Sequence, residues 1–204
     1  MKLSLVLLIV LTLFSVKSMA QFTQDEKDLI NSGTTETPFR VLKVTDQQDS
    51  IFLRQKCSDI ENINESEDLQ LLIDRLKATM AAESGVGIAA PQVGIGRNIF
   101  LFTRIDKANY PVIVAINPKI VNHPEETICF ERDGCLSIPG ISGNSIRYPW
   151  VDVEYTDENG NLVQERLEGY SRESDFTGII FQHEFDHLQG VLFIDKLCSS
   201  TEKK

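Results

Sequence analysis

The sequence reads as a single α+β domain, with antiparallel or mixed β-sheets packed around a central helix. Two helical stretches and the strand-like segments between them carry that reading. Ser66 is a suitable N-cap, and Glu67 and Asp68 put negative charge in the first turn. Leu69, Leu72, Ile73, Leu76 and Met80 then share one helical face, which marks them for the core. Gly85 ends this helix. Segments 98–103, 111–117, 126–130, 149–156 and 161–167 follow. They are rich in Ile, Val, Phe and Tyr and read as strands. Asn159-Gly160 marks a hairpin turn between the last two. A final helix runs from about Ser174 to Leu188, with Gly190 as its cap. Residues 39–197 thus make a catalytic-sized domain of roughly 160 residues. Residues 21–38 are polar and read as a flexible lead, and 198–204 as a polar tail. There are no internal repeats and no low-complexity tract.

The two ends bear on location. Lys2, an apolar run from Leu3 to Phe14 and small residues at Ser18-Met19-Ala20 resemble a cleavable secretory signal over 1–20, with Gln21 as the mature start. The run is too short to span a bilayer comfortably, so no stable membrane insertion is expected after cleavage. A start at Met19 would instead give a cytoplasmic protein. The whole chain has 20 basic and 30 acidic residues. Losing Lys2 and Lys17 leaves 18 against 30, a net charge of −12. Such a surface argues against nucleic acid and anionic membrane as partners. Four cysteines do not make a disulfide framework in a chain of 204 residues.

The last helix holds the most informative residues: Gln182-His183-Glu184-Phe185-Asp186-His187-Leu188. Histidines four apart share one face, so both imidazoles can hold one metal ion. Glu184 between them can act as general base for a metal-bound water. The apolar flanks Ile179, Ile180, Phe181 and Leu188 bury this helix, where idle polar groups are costly. The third ligand must come from upstream. Only 17 residues follow His187, with one glutamate, Glu202, and with Phe193 where an extended histidine motif would need a ligand. The candidates are His123, a carboxylate, Cys57, Cys129 and Cys135. His123 sits in a turn-like polar stretch and reads as an exposed loop residue. Tyr148 and Trp150 flank Pro149 and read as packing at a strand start. Cys135 stands out within Asp133-Gly134-Cys135-Leu136-Ser137-Ile138-Pro139-Gly140. There Gly134 is expected to relieve crowding and let the backbone approach a site. A thiolate with two imidazoles leaves a tetrahedral ion one open position. Taken alone, Cys135 would read as a small buried hydrophobe.

A third segment, Ser84 to Gly94, is glycine-rich and apolar around the single amide of Gln92. It is neither a phosphate loop nor a dinucleotide fingerprint, because its flanking residues and glycine spacing are wrong for both. Together the three segments resemble the peptide deformylase family, whose motifs G-x-G-[I/L]-A-A-x-Q, E-G-C-L-S and Q-H-E-x-D-H-L occur in that order. Here they stand at Gly85–Gln92, Asp133–Ser137 and Gln182–Leu188, and weaker similarity runs from about Val41 to Asp195.

The resemblance implies Cys135, His183 and His187 as metal ligands and Glu184 as the acid/base. It implies Gln92 and the Leu136 N–H as oxyanion donors. Val86, Gly87, Asp133 and Gly134 would meet the substrate main chain. The implied reaction is hydrolysis of the N-formyl group from formyl-methionyl peptides, on nascent or exported proteins, giving formate. The small formyl group would pass a Gly85–Gln92 wall that larger acyl groups strike. Residue types alone suit zinc; the resemblance implies Fe(2+), with Zn(2+), Ni(2+) or Co(2+) as alternative occupants. A monomer is expected. Two departures stand out. Asp133 replaces the usual Glu with an acid one methylene shorter, which bears on the hydrogen bonds around the metal. Gly178 replaces a larger residue at a helix cost of about 1 kcal/mol, and is expected to widen the neighbouring side-chain pocket.

Two rival readings are a different exported metallo-amidase or peptidase, and a non-catalytic metal-binding relative. The Gly85–Gln92 segment weighs against the first, and Glu184 with Gln92 against the second. With Cys135 on the metal, Cys57, Cys129 and Cys198 remain, an odd number that speaks either against export or for one exposed free thiol at Cys198.

Overall fold

The computed structural model describes residues 22–63 and 66–198. The expected signal segment and the end of the tail lie outside them. Among the described residues no helix is long and apolar enough to cross a membrane.

The first described residues are ordered into the core, which corrects the expectation of a flexible lead. Helix α1 (Gln24–Ile30) starts with a capping box, in which the Thr23 hydroxyl accepts from the Glu26 N–H and the Glu26 carboxylate accepts from the Thr23 N–H. Phe22, Ile30 and Phe39 are buried. Glu26 also pairs with Arg97 at 2.8 Å, which ties α1 to the distal chain. A short α2 (Gln47–Leu53) is capped by Asp46.

Helix α3 (Glu67–Ala82) follows the expected pattern: Ser66 caps it, and Leu69, Leu72, Ile73, Leu76 and Met80 are buried. Its buried Arg75 donates to the carbonyls of Leu29, Ile30 and Thr37 and lies 3.7 Å over the Phe39 ring. One guanidinium therefore satisfies the orphan carbonyls at the end of α1 and clamps the lead against α3.

The strands are β1 (Gly87–Ala89), β2 (Ile99–Thr103), β3 (Val112–Asn122), β4 (Ile128–Cys135), β5 (Ile138–Arg147), β6 (Trp150–Thr156) and β7 (Leu162–Glu168). They form a five-stranded sheet in the order β1-β2-β3-β6-β7 and a two-stranded sheet, β4-β5. All named pairs are antiparallel. The expected strand at 126–130 is the start of a longer β4; β1 lies at the Val86–Gly87 stretch where the family resemblance implied a strand, while β5 carries no apolar alternation and was not anticipated. Gly160, with φ 81°, makes the expected turn between β6 and β7.

Helix α4 (Thr177–Leu188) lies across the larger sheet. Phe181 meets Phe100 and Phe102 edge to face, with centroids 4.9 and 5.4 Å apart. Gly178 allows this approach. A Cβ there would stand 2.8 Å from the Leu167 carbonyl and 2.9 Å from that of Glu168. The glycine seats α4 on β7 rather than widening a pocket, a correction to the sequence reading. Gly190, with φ 70°, follows the helix as expected.

The small sheet is held from its far side. After the turn Phe193–Lys196, Leu197 bridges Ser145, and the Cys198 N–H donates to the Asn144 carbonyl at 2.8 Å. Cys198 is bonded to Cys129 of β4, so it is not a free thiol. Cys57 is buried, and burial pushes its thiol up to about 12.

The disulfide spans 69 residues, and that closed loop contains Cys135, His183 and His187. Restricting the unfolded chain this way contributes about 4 kcal/mol in the chain-entropy treatment. Replacing both Cys129 and Cys198 by Ser should therefore lower the thermal midpoint by roughly 10 °C. Calorimetry of that variant would show it, and an unchanged midpoint would contradict the assignment.

Candidate active site

Three elements converge on one point. Helix α4 presents His183, Glu184 and His187; the end of β4 presents Cys135; the single helical turn Ala90–Val93 presents Gln92. The Cys135 sulfur and one nitrogen from each histidine lie within 4.8 Å of one another. Cys135 Sγ is 3.2 Å from His187 Nε2. A tetrahedral ion with bonds of about 2.3 Å to sulfur and 2.0 Å to nitrogen holds such a pair roughly 3.5 Å apart. Burial alone would raise the Cys135 thiol, but the two imidazoles beside it hold it well below its usual value. The thiolate is the form that binds metal. The sequence-derived ligand set is thus assembled, and its donor chemistry fits a divalent ion.

Asp133 settles the hydrogen bonds around the cluster. Its Oδ1 is 3.1 Å from His183 Nδ1. Its Oδ2 accepts from Arg147 at 2.8 Å and from the Ser145 hydroxyl at 2.6 Å. The shorter acid therefore reaches the histidine. Burial opposes its ionisation, yet the His183 hydrogen bond and the charges of His183 and Arg147 hold it well below the usual carboxylate range. Asp133 borders the cleft as expected, but its carboxylate is committed to these three partners.

Arg147 is a site residue to which the sequence reading gave no role. Its side chain is fully buried and bonds Asp133 on one side and Asp186 on the other, at 2.8 and 2.6 Å. Asp186 also receives Lys196 at 2.6 Å. An arginine three residues before Trp150, where β6 starts, was the available signal. Gln182 fixes the same helix: it accepts from the Tyr148 N–H and donates to the Tyr148 and Gly178 carbonyls. His123 stacks on Tyr148 at 3.8 Å, away from the ligand cluster.

Gln92 is oriented by its own backbone. Its Oε1 accepts from the Ala89 N–H at 2.8 Å. That leaves the amide NH2 to face Cys135 Sγ at 3.5 Å and Ser137 Oγ at 3.3 Å. Glu184 is buried, and its Oε2 has no hydrogen-bond partner. Burial pushes its carboxyl up to about 7. An acid poised near neutrality and lacking a partner is suited to proton transfer.

An open cleft of about 370 Å³ leads to this point. Gly85, Val86 and Gly87 form one wall, Gly134 and Leu136 another, and Ile179 and Ile180 an apolar flank. Gly87 is where the missing side chain counts: a Cβ would stand 2.4 Å from Glu184 Oε1. Gly134 has open space beside it, so it relieves no crowding, contrary to expectation. Strand β1 is the edge of its sheet, and its free side faces the cleft, where an extended peptide can pair with it.

The family model described as Polypeptide deformylase matches residues 40–203. Peptide deformylase 2 of Nostoc sp. is 46% identical over 154 residues, covering 72% of this chain and 82% of the relative. The peptide deformylase of Thermotoga maritima is 41% identical over 145 residues, covering 71% and 80%. The crystal structure of the Thermotoga maritima enzyme superposes with a TM-score of 0.68 at 34% identity, covering 79% of this chain and 99% of that one. A Synechococcus elongatus peptide deformylase in complex with actinonin gives 0.67 at 32% identity, covering 80% of each chain.

The Asp133 contact gives a test of the cluster that does not depend on turnover. Asp133→Asn should weaken metal retention by about 10- to 100-fold. Competition with a chromogenic chelator measures it, and undiminished retention would remove the carboxylate from this role.

Proposed function

Since the chain belongs to the peptide deformylase family and removes the N-formyl group from nascent peptides, we propose that Glu184 moves the proton in that reaction, with Gln92 and Leu136 as oxyanion donors. The observation that carries this is the buried, unpartnered oxygen of Glu184 beside the thiolate and two imidazoles. Family membership and the cluster together imply a bound metal. An ion held by Cys135, His183 and His187 would supply an acidified water and polarise the formyl carbonyl.

The remaining work falls to the chain's own groups. Val86 and Gly87 on the edge of the larger sheet, with Asp133 and Gly134 opposite, border the space where the substrate main chain lies. Glu184 takes a proton as the formyl carbon is attacked. The Gln92 amide, already turned by Ala89, and the Leu136 N–H donate to the developing oxyanion. One such donor is typically worth about 2.7–4 kcal/mol of barrier. Glu184 then returns the proton to the leaving amine, freeing formate and a peptide that begins with methionine. Ile179 and Ile180 supply an apolar surface for the methionine side chain. Gly87 and Glu184 are already in near contact, which leaves little room for an acyl group larger than formyl.

Ferrous iron is our choice of resident ion, and Zn(2+), Ni(2+) or Co(2+) suit the same donors. Export is our choice of address. It is supported by the apolar N-terminal stretch and by the Cys129–Cys198 bond, since such bonds persist in oxidising compartments.

Three measurements check these points. Glu184→Gln should cut turnover of formyl-Met-Ala-Ser by at least about 100-fold with metal content unchanged; near-normal turnover would defeat the assignment. Metal analysis of anaerobically purified protein should find about one iron per chain, with activity lost in air as iron is lost. A zinc protein that stays fully active in air would overturn the choice of iron. Cell fractionation with N-terminal sequencing should recover protein starting at Gln21 outside the cytoplasm; cytoplasmic protein starting at Met1 or Met19 would refute export.

A further inference from the structure

Resting on the deformylase reading, we propose that Arg172 forms a carboxylate subsite at the rim of the cleft, selecting formyl-peptides with an acidic group shortly after the methionine. Arg172 borders the same cleft as Ile179, His183 and Glu184. Its guanidinium is held in place without being neutralised. Nη2 donates to the Arg132 carbonyl at 2.6 Å and Nε to the Glu131 carbonyl at 3.3 Å. The rings of Phe130 and Phe176 lie beneath it, 5.4 and 5.5 Å away. Backbone carbonyls and ring faces fix an arginine fork but leave its full charge.

The contrast with the other arginines is informative. Arg40, Arg54, Arg97, Arg104, Arg147 and Arg166 each carry a carboxylate partner. Arg75 is spent on buried carbonyls. Among the described residues Arg132 and Arg172, like Arg75, have no carboxylate within 4.0 Å, and Arg172 bonds the backbone of Arg132. In a chain of net charge −10, an arginine at the mouth of the cleft with no carboxylate partner is a local exception.

What they can meet follows from the direction of the substrate. The formyl group is the first group of the peptide and lies at the metal cluster, so nothing precedes it. The methionine side chain is apolar and belongs against Ile179 and Ile180. A charge at the rim therefore faces the residues that follow methionine. Its complement is a carboxylate, from an Asp or Glu side chain or from the C-terminus of a very short peptide. A planar fork pairs with that group through two parallel hydrogen bonds.

Steady-state kinetics would use formyl-Met-Ala-Ser, formyl-Met-Asp-Ser and formyl-Met-Lys-Ser as C-terminal amides, with the free acid of formyl-Met-Ala-Ser as a fourth substrate. At low salt the wild type should favour the Asp over the Lys peptide by about three- to five-fold in kcat/KM, mostly through KM, as for a partly exposed ion pair. A free acid favoured over its amide by more than the Asp peptide is favoured would assign the subsite to the chain terminus instead of a side chain. In Arg172→Gln both preferences should fall to about one. Arg172→Lys, which keeps the charge, should restore part of them, and added salt should erase them. An equal ratio in wild type and Arg172→Gln would overturn the subsite, as would Arg172→Lys behaving like Arg172→Gln. Failure to hydrolyse any of the formyl peptides would instead remove the deformylase reading, and the subsite with it.

Discussion

The structure depends on one buried guanidinium. Arg147 sits between Asp133 of β4 and Asp186 of α4, with its side chain withdrawn from water. A charge buried this way is tolerated only when it is paired and hydrogen bonded. Here both carboxylates have further partners, His183 and Ser145 for Asp133 and Lys196 for Asp186. The consequence is mechanical. A two-stranded sheet is barely stable alone, yet β4 must hold a sulfur within bonding reach of two imidazoles on another element. The ion pairs fasten β4 to α4 two residues before Cys135 and one before His187. The ligand distances are therefore set by the ion-pair network before a metal arrives.

The same economy governs the proton carrier. Glu184 could be quenched by any neighbour able to donate a hydrogen bond. The wall opposite it is instead Gly87, which has no side chain, in an edge strand whose backbone pairs away from it with β2. The aligned amide of Gln92 provides the nearby polarity, and its direction is set by the Ala89 N–H. Preorganisation of this kind places donors before charge develops, so no reorganisation is needed during the reaction.

The sequence showed the chemistry better than the scaffold. The histidine pair lies within one helix, so its geometry follows from helical periodicity. Cys135 and Gln92 are far away in the chain, and only the joint motif pattern linked them to that helix. Strand β5 was hidden because Ile138–Arg147 is rich in Gly and Ser and half of it faces solvent. It forms through pairing with β4, not through its own β propensity. Helix α1 was overlooked although Thr23 and Glu26 spell a capping box, because so short a helix gains its stability from tertiary contacts such as Arg97 and Arg75. Gly134 and Gly178 were given roles that three-dimensional neighbours reassign. Pairing of Cys129 with Cys198 was not legible, since connectivity depends on a tail whose docking has no local signature.

The covalent bond between β4 and the tail also changes how the molecule would respond to being cut. The exposed turn at Asp157–Gly160 between β6 and β7 lies inside the ring that the bond closes. A protease that severed the backbone there would leave the sulfur ligand on one fragment and both imidazoles on the other. The two pieces would still travel as one molecule, joined at Cys129 and Cys198, and the five-stranded sheet could re-pair across the break. Damage that would scatter the ligands of an open chain becomes a nick that the fold can survive.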